Sequence, residues 1–260
     1  AGVRAGNAAA GIEELPIGGT AVGTGLNCHP DFAGIVSRHL ASRTGIDWKE
    51  ASNHFEAQSA KDGLVQVSGL LKTIAVSLFK IANDIRWLGS GPRCGIGEIL
   101  LPETQPGSSI MPGKVNPVIC ESVMQVCARV MGNDTTVTWA AANGNFELNV
   151  MMPVLAHSLL ESLSLMTNVI GIFREKCVAG INANVERCNE LVEYSMAMVT
   201  SLAPIIGYDR AAEIAKESAK SGRTVRQICT DWKVLPEEEL AAALNPVAMT
   251  EPGGSGAAGG

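Results

Sequence analysis

Apolar residues recur at intervals of three and four along residues 61–88 without a break. They are Leu64, Val67, Leu71, Ile74, Leu78, Ile81, Ile85 and Leu88. This spacing predicts one long α-helix, because residues three and four apart share a helix face. Val65, Leu70 and Phe79 widen the apolar surface, so we expect other helices to surround this one. The chain breakers in GSGP, residues 89–92, end the pattern.

Two more long patterns follow, and both predict helices. One begins at Pro117, a residue favoured in the first turn of a helix, and runs to Trp139 with a weak point at residues 132–134. The other covers residues 150–176. Shorter helices are predicted at residues 30–42 and 48–59. Because strand signals are few, these patterns predict an all-α fold built around a bundle of long helices.

The texture of the chain changes after Gly180, where the segments become shorter and more charged. Helical segments are expected at 184–200, 208–220 and 235–244, separated by Pro and Gly. We therefore predict a central helical-bundle domain at residues 1–185, with a small C-terminal helical domain at 186–248. Residues 249–260 have the composition of a flexible Gly-rich tail.

Composition narrows the classes of function. The hydrophobic content is 46% with only 4% aromatic residues, which suits closely packed helices, and the net charge of −6 argues against nucleic acid as a partner. Seven cysteines without a C-x-x-C pair indicate reduced thiols in an intracellular protein, and four histidines are not spaced as metal ligands. Since no run of about eighteen uninterrupted apolar residues exists, we expect no membrane span.

The stretch QPGSSIMPGKVNPVI, residues 105–119, carries the densest set of reactive groups. Its glycines and prolines shape the backbone, while Ser108, Ser109, Lys114 and Asn116 supply two hydroxyls, an ammonium group and an amide. A plain connector between helices is the alternative, but few connectors hold these groups so close together. The spacing fits neither a phosphate-binding loop nor the nucleophile elbow of a hydrolase.

Three other features have a structural interpretation that is at least as good as a functional one. IGGTAVGTGLN, residues 17–27, could be a helix packed closely on a neighbour or part of a binding site. GNFELNV, residues 144–150, could provide buried polar support or contact a substrate. On spacing alone, Glu121 would simply complement the dipole of the helix that follows the loop.

Taken together, these segments resemble a known family. GSSIMPGKVNP resembles the signature loop of the fumarase/aspartase superfamily, and IANDIRWLGSGPRCGIGEI is similar to the corresponding segment of class II fumarate hydratases. IGGTAVGTGLN and GNFELNV add to the resemblance, which covers about residues 12–248. Gly113 favours fumarases over aspartate ammonia-lyases, whose loop usually has Ala there, and argininosuccinate lyases are a poorer match.

The resemblance implies a carbon–oxygen lyase (hydro-lyase) of the tricarboxylic acid cycle that hydrates fumarate reversibly to L-malate. It implies no metal and no cofactor, and a homotetramer whose active sites are shared between subunits. By resemblance, Ser108 is the catalytic base, and Glu121 orients a catalytic histidine. The substrate-binding positions are Ser109, Lys114, Val115 and Asn116. A serine base requires an electropositive and dry surrounding, which Lys114 and the loop N–H groups would provide.

The family's catalytic histidine lies in an upstream G-H-T-H-like segment that this chain lacks, and His29 is not promoted to that role. We therefore expect a fragment that is inactive on its own. The compartment would be the cytoplasm or the mitochondrial matrix, with a small dicarboxylate as partner and neither nucleic acid nor membrane. Two alternatives stay open: aspartate ammonia-lyase or another superfamily lyase, and a non-catalytic helical assembly protein.

Overall fold

Helices make up most of the chain. The structure is a computed structural model and describes residues 12–91, 93–104 and 115–252. The α-helices are α1 (Phe32–Thr44), α2 (His54–Ser59), α3 (Asp62–Leu88), α4 (Val118–Ala142), α5 (Met152–Lys176), α6 (Val185–Tyr194), α7 (Ala203–Ile206), α8 (Tyr208–Ser221), α9 (Val225–Asp231) and α10 (Glu237–Ala243). Short 3₁₀ helices lie at Val178–Gly180, Met196–Ser201 and Ala248–Thr250. The predicted all-α class is confirmed.

The three long helices pack side by side as a bundle in the first of two units, which comprises Ala1–Ile96 and Leu101–Ile181. Helix α4 packs against both α3 and α5, and small and medium-sized side chains fill these contacts. The core between the three helices contains Ala75, Ala82, Cys120, Val123, Cys127, Val130, Met166, Val169, Phe173 and Cys177. Alanine and cysteine at these contacts let the helix axes approach closely, as the low aromatic content predicts.

Two polar residues lie in the middle of α4, where the sequence predicts a weak point. Asp134 is only 5% exposed and accepts hydrogen bonds from Ser68 Oγ (2.8 Å) and Lys72 Nζ (2.5 Å) of α3. Asn133 donates to Ser162 Oγ (3.1 Å) of α5. The helix continues through this point because both buried side chains are satisfied by its neighbours. The predicted weak point is therefore wrong.

Short strands interrupt the helical pattern where the sequence shows no periodicity. The strands are β1 (Glu14–Leu15), β2 (Lys49–Glu50), β3 (Ile99–Leu100), β4 (Gly144–Asn145), β5 (Leu148–Asn149) and β6 (Asn182–Ala183). Strand β1 pairs parallel to β2, while β4 and β5 form an antiparallel hairpin. The predicted helix at 48–59 is wrong in its first half: β2 occupies it, and Asn53 caps the shorter α2 through Glu56 N.

The second unit comprises Gly97–Leu100 and Asn182–Gly260. Its core contains Met198, Leu202, Ile214, Val225, Ile228, Cys229, Leu240, Ala243 and Leu244. Helix α9 begins with a capping box, in which Thr224 Oγ1 accepts from Gln227 N and the Gln227 side chain accepts from Thr224 N. The sequence reading missed this seven-residue helix. Strand β3 pairs antiparallel with β6 in this unit.

By length and composition alone, two helical stretches among the described residues could cross a membrane: Asp62–Leu88 and Met152–Gly180. Helices in the interior of a bundle have the same length and composition, so this is weak evidence for a membrane.

Candidate active site

The loop that the sequence analysis singled out leads directly into α4. Ser108, Ser109 and Lys114 lie outside the described residues, whereas Val115 and Asn116 lie within them. Val115 is 41% exposed and Asn116 is half-buried, with its carbonyl accepting from Val118 N (2.8 Å). This hydrogen bond lies at the point where the chain enters α4.

Glu121 lies in the first turn of α4 and is half-buried. Its N–H donates to Pro117 O (3.0 Å), and no group in the described part of the chain bonds to its carboxylate. The helix N-terminus stabilises a negative charge here.

The start of α4 and the end of α5 lie close together near Asn116. A small cavity of about 10 Å³ lies there, between the loop exit and the end of α5. Its lining includes Asn116, Pro117, Cys120, Lys176 and Cys177. Burial raises the pKa of the Cys120 thiol to about 12, helped by the charge and hydrogen bond of Cys177. Among the described residues, this end of the bundle therefore combines the exposed Lys176 with two thiols whose pKa is raised.

The segment IGGTAVGTGLN lies at the opposite end of the bundle and forms a series of turns instead of the helix that was one interpretation. Gly18, Gly23 and Gly25 have positive φ angles, as do Thr20 and Asn27. At Gly23 a Cβ would lie 3.0 Å from the backbone nitrogen of Phe55, so the turn needs glycine for space as well as for conformation.

The hairpin of GNFELNV lies at the same end and supports the structural interpretation of Asn149. This residue is 4% exposed; its amide nitrogen donates to Ala140 O (3.1 Å) and Ser59 O (3.4 Å), and its Oδ1 accepts from Met151 N (2.8 Å). One side chain thus ties the end of α2, the end of α4 and the start of α5 together. The tip residue Phe146, by contrast, is 93% exposed with φ 52°.

These two segments line one cavity of about 640 Å³. Its walls are largely apolar, and its polar residues include Thr20, Gln58, Lys61 and Glu147. Lys61 Nζ donates to Ala57 O (2.8 Å) and Gln58 O (2.9 Å). Burial lowers the pKa of this lysine, although the nearby negative charge of Glu56 acts in the opposite direction. The sequence analysis missed Lys61, because a lysine at a helix start gives no sign of burial.

The candidate residues therefore fall into two places within one chain. Asn116 and Glu121 lie at the start of α4, whereas Asn149 bonds to Ala140 O near its end. Glu121 and Ala140 are 19 residues apart, which is roughly 28 Å at 1.5 Å per residue. A single substrate of a few carbon atoms cannot touch both places in the same chain. Within the described ranges, no group of three or more His, Cys, Asp or Glu residues could hold a metal ion.

Comparison with known proteins gives the class of this arrangement. A family model described as a lyase matches residues 4–132, and a model of the fumarase C C-terminus matches residues 198–251. Class II fumarate hydratase from Mycobacterium tuberculosis is 53% identical over 245 residues, which are 92% of this chain and 52% of that protein. The enzyme of the same name from Methylorubrum extorquens is 49% identical over 242 residues, 93% of this chain and 51% of its own length.

Solved structures of related proteins have the same fold as this chain. Fumarate lyase:delta crystallin from Brucella melitensis, bound to cobalt, superposes with a TM-score of 0.92 at 47% identity. The match includes 96% of this chain and 54% of that protein. Class II fumarase from Schistosoma mansoni has a TM-score of 0.87 at 38% identity, covering 95% of this chain and 56% of its own.

Bundle and matches together indicate the class: residues 4–132 match the lyase family, and residues 198–251 match the fumarase C C-terminus. In sequence and in fold it is similar to class II fumarases. The chain spans about half the length of the curated relatives it matches.

Proposed function

We propose that this chain contributes to a class II fumarate hydratase, a hydro-lyase of the tricarboxylic acid cycle that converts fumarate and water reversibly to L-malate. The observation that carries the proposal is the 53% identity to such an enzyme over 92% of the chain. In sequence, Ser108, Lys114, Asn116 and Glu121 are all present. A structural descendant without catalysis would have no need of all four.

The resemblance to fumarases implies a role for each residue, and the chemistry fits these roles. Removing the proton next to a carboxylate of malate places extra negative charge on the carboxylate oxygens. Lys114, the hydroxyl of Ser109, the backbone of Val115 and the Asn116 amide would bind and stabilise that charge as it develops. Ser108 would take the proton. None of these steps requires a metal or a cofactor.

Glu121 is proposed to orient a catalytic histidine that another part of the assembly supplies. Its carboxylate has no partner among the described residues, and it lies in the first turn of α4. A carboxylate that accepts a hydrogen bond from one ring nitrogen fixes which nitrogen of a histidine is free for proton transfer.

A homotetramer with shared active sites is the assembly we propose. The large apolar residues exposed on α3, α4 and α5 include Val76, Trp87, Trp139, Leu160 and Ile172. Such faces on long helices are typical of surfaces that other helices cover. We place the enzyme in the cytoplasm or the mitochondrial matrix, away from membranes. Light scattering is expected to find species well above 27.2 kDa; a clean monomer would contradict this assembly.

The decisive experiment joins this chain to the remaining part of the M. tuberculosis relative and follows malate formation from fumarate by NMR. We expect activity in the fusion and none in the chain alone. Ser108→Ala and Lys114→Met should each reduce kcat/KM about 10²–10⁴-fold. The matched control is Ser122→Ala, an exposed serine of α4, which should leave the rate unchanged.

Two results would redirect the assignment. Aspartate formation from fumarate and ammonia, without malate formation, would favour an ammonia-lyase. A folded and assembled fusion with neither activity would favour the non-catalytic assembly protein.

A further inference from the structure

Two buried thiols are in contact at the end of the bundle where the loop enters α4. Cys120 Sγ and Cys177 Sγ are 3.8 Å apart, and the residues are 0% and 3% exposed. Cys120 lies in the first turn of α4, and Cys177 directly follows α5. All seven cysteines are free, and among the described residues no other two are in contact.

We propose that Cys120 and Cys177 form an intramolecular disulfide when the protein meets a small peroxide, which makes this pair a modification site. The sulfur atoms must approach from 3.8 Å to about 2.05 Å. Both residues lie at helix ends, where backbone and side chain adjust more easily than in the middle of a helix. The bond would join the start of α4 covalently to the end of α5.

The reaction balances with hydrogen peroxide as the oxidant. In one of the two possible orders, the Cys177 thiolate attacks one peroxide oxygen, so that an S–O bond forms, the O–O bond breaks and the departing hydroxide takes a proton to become water. The Cys120 sulfur then attacks the resulting sulfenic acid at Cys177; the S–S bond forms, the S–O bond breaks and a second water leaves. Two thiols are oxidised and one peroxide is reduced to two waters.

Either sulfur can react first, because either can donate the hydrogen bond that joins them. Burial raises the pKa of both thiols, but a hydrogen bond from Cys120 opposes the rise at Cys177. At Cys120 burial has the largest effect, the charge and hydrogen bond of Cys177 add to it, the charge of Arg86 opposes it, and the pKa is about 12. Thiolate is therefore scarce at neutral pH, so oxidation is slow there and accelerates as pH rises.

The surroundings select small oxidants. The cavity beside the two thiols, at about 10 Å³, has close to the room of one water molecule. A peroxide can enter through small local motions, whereas oxidised glutathione is too large to reach either sulfur in the folded chain. Size selectivity therefore distinguishes reaction in the folded protein from reaction after unfolding.

The test uses the reduced full chain, hydrogen peroxide and intact mass spectrometry with peptide mapping. We expect loss of two hydrogen atoms and a single cross-linked peptide pair containing Cys120 and Cys177. The rate should rise about 100-fold from pH 7 to pH 9, following the thiolate fraction. The oxidised chain should melt about 5–10 °C higher, because the bond closes a long loop.

Variants make the assignment specific. Cys120→Ser and Cys177→Ser should each abolish the cross-link, and either one that keeps its helical circular dichroism suffices for the test. The matched control is Cys127→Ser, a buried cysteine of the same helix without a thiol neighbour, which should cross-link at the original rate. A different cysteine pair in the cross-linked peptide, or no cross-link in the folded chain at pH 9, would overturn the proposal.

Discussion

Replacement of Asp134 by alanine tests how α3 and α4 are held together. The Asp134 carboxylate is buried between α3 and α4, where Ser68 and Lys72 both donate to it. The side chain of Lys72 is 47% exposed, so after the substitution its ammonium group regains water. The Ser68 hydroxyl is buried and would lose its acceptor across the interface.

The expected loss in free energy of unfolding is about 3 kcal/mol. Removing one partner of a buried ion pair costs about 3–5 kcal/mol, and the exposure of Lys72 moves this case to the lower end. The lost acceptor of Ser68 contributes about 1 kcal/mol of that total. The exposed pair of Lys80 with Asp84, also on α3, is the matched control: Asp84→Ala should cost only about 0.3–0.5 kcal/mol.

Urea unfolding followed by tryptophan fluorescence measures the difference. A Trp232→Phe background removes the only tryptophan of the second unit, so that the other three report on the bundle alone. With a urea m-value of about 2 kcal/mol/M, Asp134→Ala should lower the midpoint by about 1.5 M and Asp84→Ala by about 0.2 M. Equal midpoints for the two variants would refute the argument, because burial would then make no difference.

Three further changes test local features. Gly23→Ala should lower the free energy of unfolding by about 3 kcal/mol, because the added Cβ meets backbone atoms at a position of positive φ. Gly45 has a similar φ but open space around it, so Gly45→Ala should cost only about 1 kcal/mol. Thermal melts compare the two variants. Phe146→Asn should stabilise by about 0.5–1 kcal/mol, since Asn tolerates positive φ and the exposed ring buries nothing; an unchanged melting temperature would argue against backbone strain. Arg226→Lys should lower the free energy of unfolding of the second unit by about 0.5–1 kcal/mol, measured by urea unfolding. Lysine cannot reproduce the bidentate contact with Glu193, whose hydrogen bonds raise the pKa of Arg226. An unchanged free energy of unfolding would mean that solvent screens the pair.

Sequence periodicity predicted the long helices well, because a seam such as that from Leu64 to Leu88 is longer than any competing pattern. Two-residue strands such as β2 and β6 carry no periodicity and were not predicted. Helix α9 is also too short for a seam, yet the Thr224…Gln227 pair is a capping-box signal that could have located it. Local chemistry is informative there and hydrophobic spacing is not.

The candidate site was only partly accessible to sequence reasoning. Unusual composition identified the loop around Ser108, but nothing in the spacing of Cys120 and Cys177 indicates that two helix ends bring them together. The burial of Lys61 depends in the same way on which carbonyls lie nearby. Contacts between distant segments are set by packing, and a single sequence does not record them.

The pairing of β3 with β6 changes what counts as a separable piece of this chain. Residues 97–100 interrupt the first unit in sequence but belong to the second, so the polypeptide enters that unit twice. Cutting the chain before β6 would release a segment that lacks β3, the strand with which β6 pairs. Asn184 would then lose the carbonyls of Gly97 and Glu98, to which it donates at 3.0 and 2.9 Å. An independently expressed C-terminal piece therefore needs Gly97–Leu100 supplied by a linker or by circular permutation.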